Sequence, residues 1–143
     1  MNINELSDVF TVKYLTEQDI PKIMELCKGN PQYYEHCPPD VSEESIRKDM
    51  TALPPRKTKD DKHYFGFFEG DSLVAVMDLI EKYPNENTAF IGFFMMNKEY
   101  QGKGVGSRII GSVRCAEKIF QIYKTWLCQH KYAGEKLLAE KWI

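Results

Sequence analysis

The amino-acid sequence predicts an α+β fold: a mixed, mostly antiparallel sheet flanked by helices, in one domain spanning residues 1–143. Three observations predict it. A short apolar and aromatic run precedes two amphipathic helical segments, a three-stranded meander follows them, and strands do not alternate with helices as a Rossmann fold requires. A length of 143 residues fits one domain, because two separate cores would each be unusually small.

The elements follow in order. Val9 to Leu15 is the first strand candidate. Thr16 and Asp19 stand in capping-box spacing before a helix whose Ile20, Ile23, Met24 and Cys27 fall on one face. Pro21 is tolerated within the first turn, and Gly29-Asn30-Pro31 stops the helix. Residues 30–41 (NPQYYEHCPPDV) read as a loop rich in proline and aromatics. Ser42 with Glu43 and Glu44 opens a second helix, acids at its positive end, and Ile46, Met50 and Leu53 give it an apolar face. Residues 56–62 (RKTKDDK) form a charged, solvated connector. His63–Phe68 and Leu73–Glu81 flank the turn Glu69-Gly70-Asp71, which makes them an antiparallel hairpin. Thr88–Met96 is almost wholly apolar, as suits an interior strand covered on both faces.

Composition excludes several functions. Nineteen Lys and Arg against 21 Asp and Glu leave a net charge of -2, without the basic excess of a nucleic-acid-binding module. No apolar run approaches membrane-spanning length, and Met1–Leu6 lacks the layout of a signal peptide, so the expected compartment is the cytoplasm. Cys27, Cys37, Cys115 and Cys128 are widely spaced without a CxxC pair; neither a metal site nor a disulfide is expected.

The most informative stretch is Phe93–Ile110, FFMMNKEYQGKGVGSRII. A buried strand enters Gln101-Gly102-Lys103-Gly104-Val105-Gly106-Ser107, and a helix with apolar Val105, Ile109, Ile110 and Val113 follows. Alternate glycines let the backbone approach a ligand closely. The amides of Lys103 to Ser107 are then the open donors of a helix N-terminus, a site suited to a pyrophosphate. The competing reading is a tight connection and nothing more. Two standard phosphate motifs fail, since Walker A needs Gly-Lys-Ser/Thr and the Rossmann fingerprint needs GxGxxG in a βαβ unit.

Gln101-x-x-Gly104-x-Gly106, after a strand and before a helix, resembles the acetyl-CoA signature of the GCN5-related N-acetyltransferases, Arg/Gln-x-x-Gly-x-Gly/Ala. The likeness includes the preceding turn Asn97-Lys98-Glu99-Tyr100, and the element order follows that fold from Val9 to about Val113. The resemblance implies a fourth strand that splays from the fifth, with pantetheine in the gap against Phe94, Met95 and Met96. It places the pyrophosphate on the amides of Gln101, Gly102, Lys103, Gly104, Val105, Gly106 and Ser107. It further implies direct attack of an amine on bound acetyl-CoA, with no metal. The acceptor is the amine of a small molecule or peptide.

That chemistry needs a proton acceptor and a donor for the developing oxyanion. The amide of Met95 or Met96 is the candidate donor. Residues 90–96 contain no acid, so the candidate bases are Glu81, Asp78, Glu35 and His36. Asp78 and Glu81 equally suit a solvent-facing role, and His36 a surface loop. Tyr33, Tyr34 and His36 lie in the inter-helix loop, which in this family often lines the acceptor pocket; a packed aromatic cluster is the alternative. His63 is expected to pair across the hairpin.

Beyond about residue 113 the sequence departs from the resemblance. The family continues with Asn-x-x-Ala-x-x-Phe-Tyr/Trp-x-x-x-Gly-Phe, whereas this chain has EKIFQIYKTWLCQHKYAGEKLLAEKWI. Residues 114–143 are therefore an atypical tail, with the family's C-terminal strands truncated or replaced. Reading the codons of Ile122–Ile143 one nucleotide later turns Trp126 into glycine and Glu140-Lys141-Trp142 into Lys/Arg, Asn/Ser and Gly. With permissible codons elsewhere the shifted frame reads IKLGYVNTNMQAKSFWQKNGF, which restores the motif. The sequence thus predicts a one-nucleotide shift near residues 112–118, which sequencing the gene tests. By intrinsic propensity Gln121–Cys128 suits a strand and Ala133–Trp142 a helix. Missing terminal strands would leave an open edge, which favours a homodimer.

Three function classes follow: an N-acetyltransferase, impaired or not by its altered C-terminus; a non-catalytic acyl-CoA-binding or regulatory module; and an ATP-binding protein, which the strand order disfavours.

Overall fold

The computed structural model describes residues 1–116 and the backbone of residues 121–124. Five strands form one sheet in sequence order: β1 (Thr11–Tyr14), β2 (Lys62–Glu69), β3 (Ser72–Ile80), β4 (Thr88–Met96) and β5 (Gln121–Lys124). The first four pair antiparallel, and β5 lies parallel to β4. The helices are α1 (Ile20–Lys28), α2 (Pro31–His36), α3 (Glu43–Thr51) and α4 (Val105–Ala116). This is the α+β arrangement the sequence predicts. The strand expected within Gln121–Cys128 is present over Gln121–Lys124, while the proposed helix Ala133–Trp142 and the restored motif lie outside the described residues.

Local chemistry explains most boundaries. Thr16 and Asp19 form the expected capping pair, the Thr16 amide donating to Asp19 Oδ2 at 2.8 Å. Ser42 and Ser45 cap α3 reciprocally: the Ser45 amide donates to Ser42 Oγ at 3.0 Å and the Ser42 amide to Ser45 Oγ at 2.9 Å. Gly70 turns the β2–β3 hairpin at φ +59°, where a side chain would be strained.

Three expectations are corrected. The segment read as a loop over residues 30–41 contains α2, because Pro31 occupies the first turn of a helix, where its fixed φ fits and its missing N–H matters least. The first strand is shorter than Val9–Leu15, with Val9 half exposed outside it. Cys37 is in a disulfide, against the expectation of free thiols, whereas Cys27 and Cys115 are free.

The sheet separates two packed layers. On one face, Phe65, Phe67, Met77, Leu79 and Ile91 pack with Ile109 and Val113 of α4. On the other, Tyr64, Val76 and Met95 pack with Ile20, Ile23 and Leu26 of α1 and Ile46 of α3. Complete burial of Ile109 and Val113 contributes about 1.5–3 kcal/mol each, which seats α4 against the sheet and fixes where its N-terminus lies.

Candidate functional site

The site begins with a defect in β4. Asp78 of β3 pairs with Phe93 and Leu79 with Ile91, so Gly92 is an extra residue bulged out of the ladder. Among the described residues β5 pairs with β4 only over Thr88–Ile91, before this bulge. Beyond it, Phe93–Met96 have β3 as their strand partner.

Backbone alternation then decides which groups face outward. The Asn97 amide donates to Val74 O at 2.8 Å, so Asn97–Val74 is a hydrogen-bonded pair. Two residues on, Met95–Val76 is another, and Met96–Ala75 and Phe94–Met77 are the non-bonded pairs between them. The N–H and C=O of Phe94 and Met96 therefore point away from β3, along the β5 side. Met95 differs from the expectation: its backbone faces β3 and its side chain enters the α1–α3 core.

The outer edge leads to the glycine turn. A 3-10 turn over Lys98–Tyr100 is anchored by Asn97, whose Nδ2 donates to Leu73 O at 3.1 Å and whose Oδ1 accepts from the Glu99 amide at 3.0 Å. Gly102 and Gly104 sit at φ +74° and +76°, and a Cβ at either would meet nothing within 4 Å. Glycine is required there by backbone conformation, and the space beside it is open. The Arg108 amide donates to Gly104 O at 3.1 Å as the helix begins. The amides of Gly104 to Ser107 precede that bond and are the open donors of α4. A Cβ on Gly106 would lie 3.7 Å from Met96 Cγ and 3.8 Å from Phe94 Cε1, which puts the helix start directly over the end of β4.

Gln101 has a different place from the one expected. Its amide donates to Lys98 O at 3.3 Å. Its Nε2 donates to Asn30 Oδ1 at 2.6 Å and to Met96 O at 3.0 Å. Asn30 Nδ2 donates in turn to Leu26 O at 2.9 Å and Met96 O at 3.0 Å. Gln101 and Asn30 thus brace the end of α1, the end of β4 and the glycine turn as one unit. Lys103 is exposed, and Ser107 half-buried, in the turn itself.

At its bulged end β4 borders a cavity of about 140 Å³ between the sheet and helices α1–α3. Tyr33, Tyr34, Tyr64, Phe93, Gly92 and Asp49 are among its lining residues. Tyr33 meets Tyr34 edge-on at 4.9 Å and Phe93 at 5.9 Å between ring centroids. Burial raises the Tyr33 phenol to about 12, with the Asp49 carboxylate and Cys27 adding to it. Burial lifts Tyr64 well above the ordinary tyrosine value, and the charge of Asp49 adds to that too. For Tyr34 burial also dominates, followed by its hydrogen bond with Cys27. Burial pushes the Cys27 thiol up to about 11, the Tyr34 bond opposing the rise and Asp49 reinforcing it. At neutral pH all four groups are uncharged.

The candidate bases are scattered. Asp78 is fully buried in an ion pair with Lys62 Nζ at 2.7 Å, not solvent-facing. Glu81 lies beyond the other end of β3, with Oε1 3.5 Å from the Met1 amino group and Oε2 3.2 Å from His63 Nε2. The latter contact lacks the alignment of a hydrogen bond. His63 Nδ1 shares a 2.9 Å hydrogen bond with the Tyr14 hydroxyl on β1, outside the β2–β3 hairpin across which its pairing is expected. Glu35 and His36 are exposed on α2 and do not line the cavity, so the structure joins Tyr33 and Tyr34 there without His36. Gly92 and Asp49 are among the cavity residues that the sequence alone does not single out. Gly92 is an isolated glycine inside an apolar strand run, a known sign of a bulge. Asp49 stands three residues after Ile46, beside the apolar face of α3. Among the described residues no group of three or more His, Cys, Asp or Glu is placed to hold a metal ion. No helix among them is long and apolar enough to cross a membrane.

Comparison with known proteins places this geometry. The sequence matches the profile of the acetyltransferase (GNAT) family over residues 23–132, past the limit near residue 113 inferred from the motifs. An acetyltransferase from Thermus thermophilus superposes with a TM-score of 0.66 at 18% identity, covering 81% of this chain and 75% of that one. An acetyl transferase from Salmonella typhimurium that modifies the N-terminal serine of a 50S ribosomal subunit protein gives 0.59 at 14% identity, over 83% and 72%. The PaiA N-acetyltransferase from Thermoplasma acidophilum, in complex with coenzyme A, gives 0.53 at 15% identity, over 80% and 77%. At these identities the likeness establishes the fold. No curated protein sequence matches the chain at a significant level.

Proposed function

The chain belongs to the GNAT acetyltransferase family, and we propose that it transfers an acetyl group from acetyl-CoA to the primary amine of a small molecule or peptide. One observation carries this reading. A single stretch of β4, Gly92 to Met96, ends at the α4 amides on one side and at the cavity on the other. The strand rise makes that stretch about 13 Å long. A thioester held along it has its diphosphate at Gly104–Ser107 and its acyl group at the bulge.

Each part then has a task. The amides of Gly104 to Ser107, with Lys103, hold the diphosphate by hydrogen bonds and the positive end of the helix. With the Met96 carbonyl held by Gln101 and Asn30, the outward N–H and C=O of Phe94 and the Met96 N–H align the pantetheine arm, and the Phe94 amide, the outward amide nearer the bulge, offers a hydrogen bond to the carbonyl oxygen as it gains charge. The neutral amine attacks the thioester carbon, a C–N bond forms, and the C–S bond breaks with its electron pair on sulfur. The incoming ammonium gives up two protons in all; the CoA thiolate takes one and solvent the other. Cys27 remains a thiol at neutral pH and so supports direct transfer rather than an acetyl-cysteine intermediate. The reading includes the cytoplasmic homodimer expected from the sequence.

A second reading, a non-catalytic acyl-CoA-binding module, draws support from the engagement of Asp78 and Glu81 in ion pairs away from the β4 edge. Titration calorimetry with acetyl-CoA and a thiol-release assay over an amine panel separate the two. Transfer predicts binding and amine-dependent release of CoA thiol. Binding without release from any amine selects the module, and absence of binding removes both.

A further inference from the structure

From its place between α1, β4 and the glycine turn we infer that Asn30 is a positioning residue for the cofactor: acting through Gln101 and Met96, it fixes the separation between the outward edge of β4 and the amides of α4. The inference rests on the cofactor half of the acetyltransferase reading, and it adds a residue that lies outside the signature.

The cause is the way α1 ends. In a continuing helix the Leu26 carbonyl would accept from the Asn30 amide, but that amide donates to Cys27 O at 3.0 Å instead. Leu26 O, one of the last carbonyls of α1, takes the side-chain Nδ2 of Asn30 at 2.9 Å. The other N–H of the same group donates to Met96 O at 3.0 Å, at the end of β4. Asn30 Oδ1 accepts from Gln101 Nε2 at 2.6 Å, and Gln101 Nε2 also donates to Met96 O at 3.0 Å. The whole carboxamide is thus engaged, its oxygen toward the signature and its two N–H groups toward α1 and β4. The corner beside it lies close to the turn. A Cβ on Gly29 would stand 3.7 Å from Lys98 Cβ, and Lys98 O accepts the Gln101 amide at 3.3 Å.

A carboxamide is what this corner requires. It supplies two donors to carbonyl oxygens and one acceptor to a side-chain amide, a set that aspartate of the same shape lacks. The link matters because acetyl-CoA is held at two separated places, the outward groups of β4 and the open amides of α4. Fixing their separation before the ligand arrives lowers the ordering cost of association. Along the chain the two places are joined by the turn Lys98–Tyr100 and by Gln101. Asn30 closes that connection from the end of α1, 71 residues earlier.

The test uses the full chain and acetyl-CoA, with Asn30→Ala, Asn30→Asp, Gln101→Ala and the double variant of Asn30→Ala with Gln101→Ala. Ser42→Ala, which removes the cap of α3 instead, is the control for stability alone. Calorimetry on protein shown to be folded reads each Kd. Asn30→Ala is expected to weaken acetyl-CoA binding about tenfold. Asn30→Asp weakens it at least as much although it keeps the shape of the side chain. The double variant binds about as the weaker single variant does, because both substitutions break one link. Ser42→Ala lowers the unfolding midpoint and leaves the Kd unchanged. In the unaltered chain, the side-chain ¹⁵N amide signals of Asn30 and Gln101 shift with acetyl-CoA at the affinity of the Gly104–Ser107 amides, a reading that needs no variant to fold. An unchanged Kd in either Asn30 variant, or losses that multiply in the double variant, overturns the inference while transfer itself stands. So does a loss in Ser42→Ala as large as in Asn30→Ala, or side-chain signals unmoved at saturation. Failure of the unaltered chain to bind acetyl-CoA overturns the acetyltransferase reading and this one with it.

Discussion

Replacing Asp78 by alanine is expected to lower the thermal unfolding midpoint by roughly 10–20 °C. The carboxylate is fully buried and pairs with Lys62 Nζ at 2.7 Å, itself almost completely enclosed. Removing one partner of such a pair leaves a charge in a medium of low dielectric, at a cost of about 3–5 kcal/mol. Against a total stability of roughly 5–15 kcal/mol that is a large fraction. Removing both charges is a different experiment. Lys62→Met with Asp78→Leu deletes the desolvation cost along with the attraction, so the double variant is expected to recover most of the lost stability. Acetyl transfer in the double variant should persist, because Asp78 is held as a structural partner of Lys62. A folded double variant that binds CoA but has lost transfer would return Asp78 to the role of base. Thermal denaturation followed by circular dichroism, beside the thiol-release assay, reads both quantities.

The second large effect is expected at Gly104. Its φ of +76° is a region that a β-branched residue enters only under strain. Gly104→Val costs roughly 1–2 kcal/mol in folding through this term, a fall of about 3–8 °C in midpoint. Its effect on binding is separate. No neighbouring atom lies within 4 Å of the would-be Cβ, so the new side chain enters the space proposed for the diphosphate and tilts the amides beside it. The Kd for acetyl-CoA is expected to rise tenfold or more, about 1.4 kcal/mol or greater. Calorimetry on protein shown to be folded makes the comparison. Unchanged affinity in Gly104→Val would place the diphosphate elsewhere.

The parts of this arrangement that were legible in the sequence are those whose cause is local. Ser42 announces α3 because the cap and its reciprocal partner Ser45 lie within one turn. The Gly70 hairpin and the Gly102–Gly104 turn are readable because positive φ is a property of single residues. What was not legible depends on register or on distant segments. The burial of Asp78 depends on Lys62, sixteen residues earlier on the neighbouring strand, and only the β2–β3 pairing brings them together. The alternation that turns Met96 outward and Met95 inward is set by the Asn97–Val74 hydrogen bond, which no spacing within residues 93–96 reveals. Helix α2 was hidden by its composition, since Asn30-Pro31 at one end and Cys37-Pro38-Pro39 at the other read as loop signals. Tyr33 and Tyr34 point to a site because aromatics gather in one short segment, but packing decides which neighbours join them. His36 points elsewhere on the same helix, and Asp49 arrives from α3.

In the proposed complex one cofactor-length ligand touches both ends of the β4 edge. An amide-resolved NMR titration of ¹⁵N-labelled protein with acetyl-CoA tests this directly. The predicted result is a joint response, with a single affinity, of the Gly104–Ser107 amides and those of Phe94 and Met96, while Glu35, His36 and Glu81 stay still. Saturation that leaves the α4 N-terminus unmoved, or that shifts it without any change along β4, would contradict the arrangement.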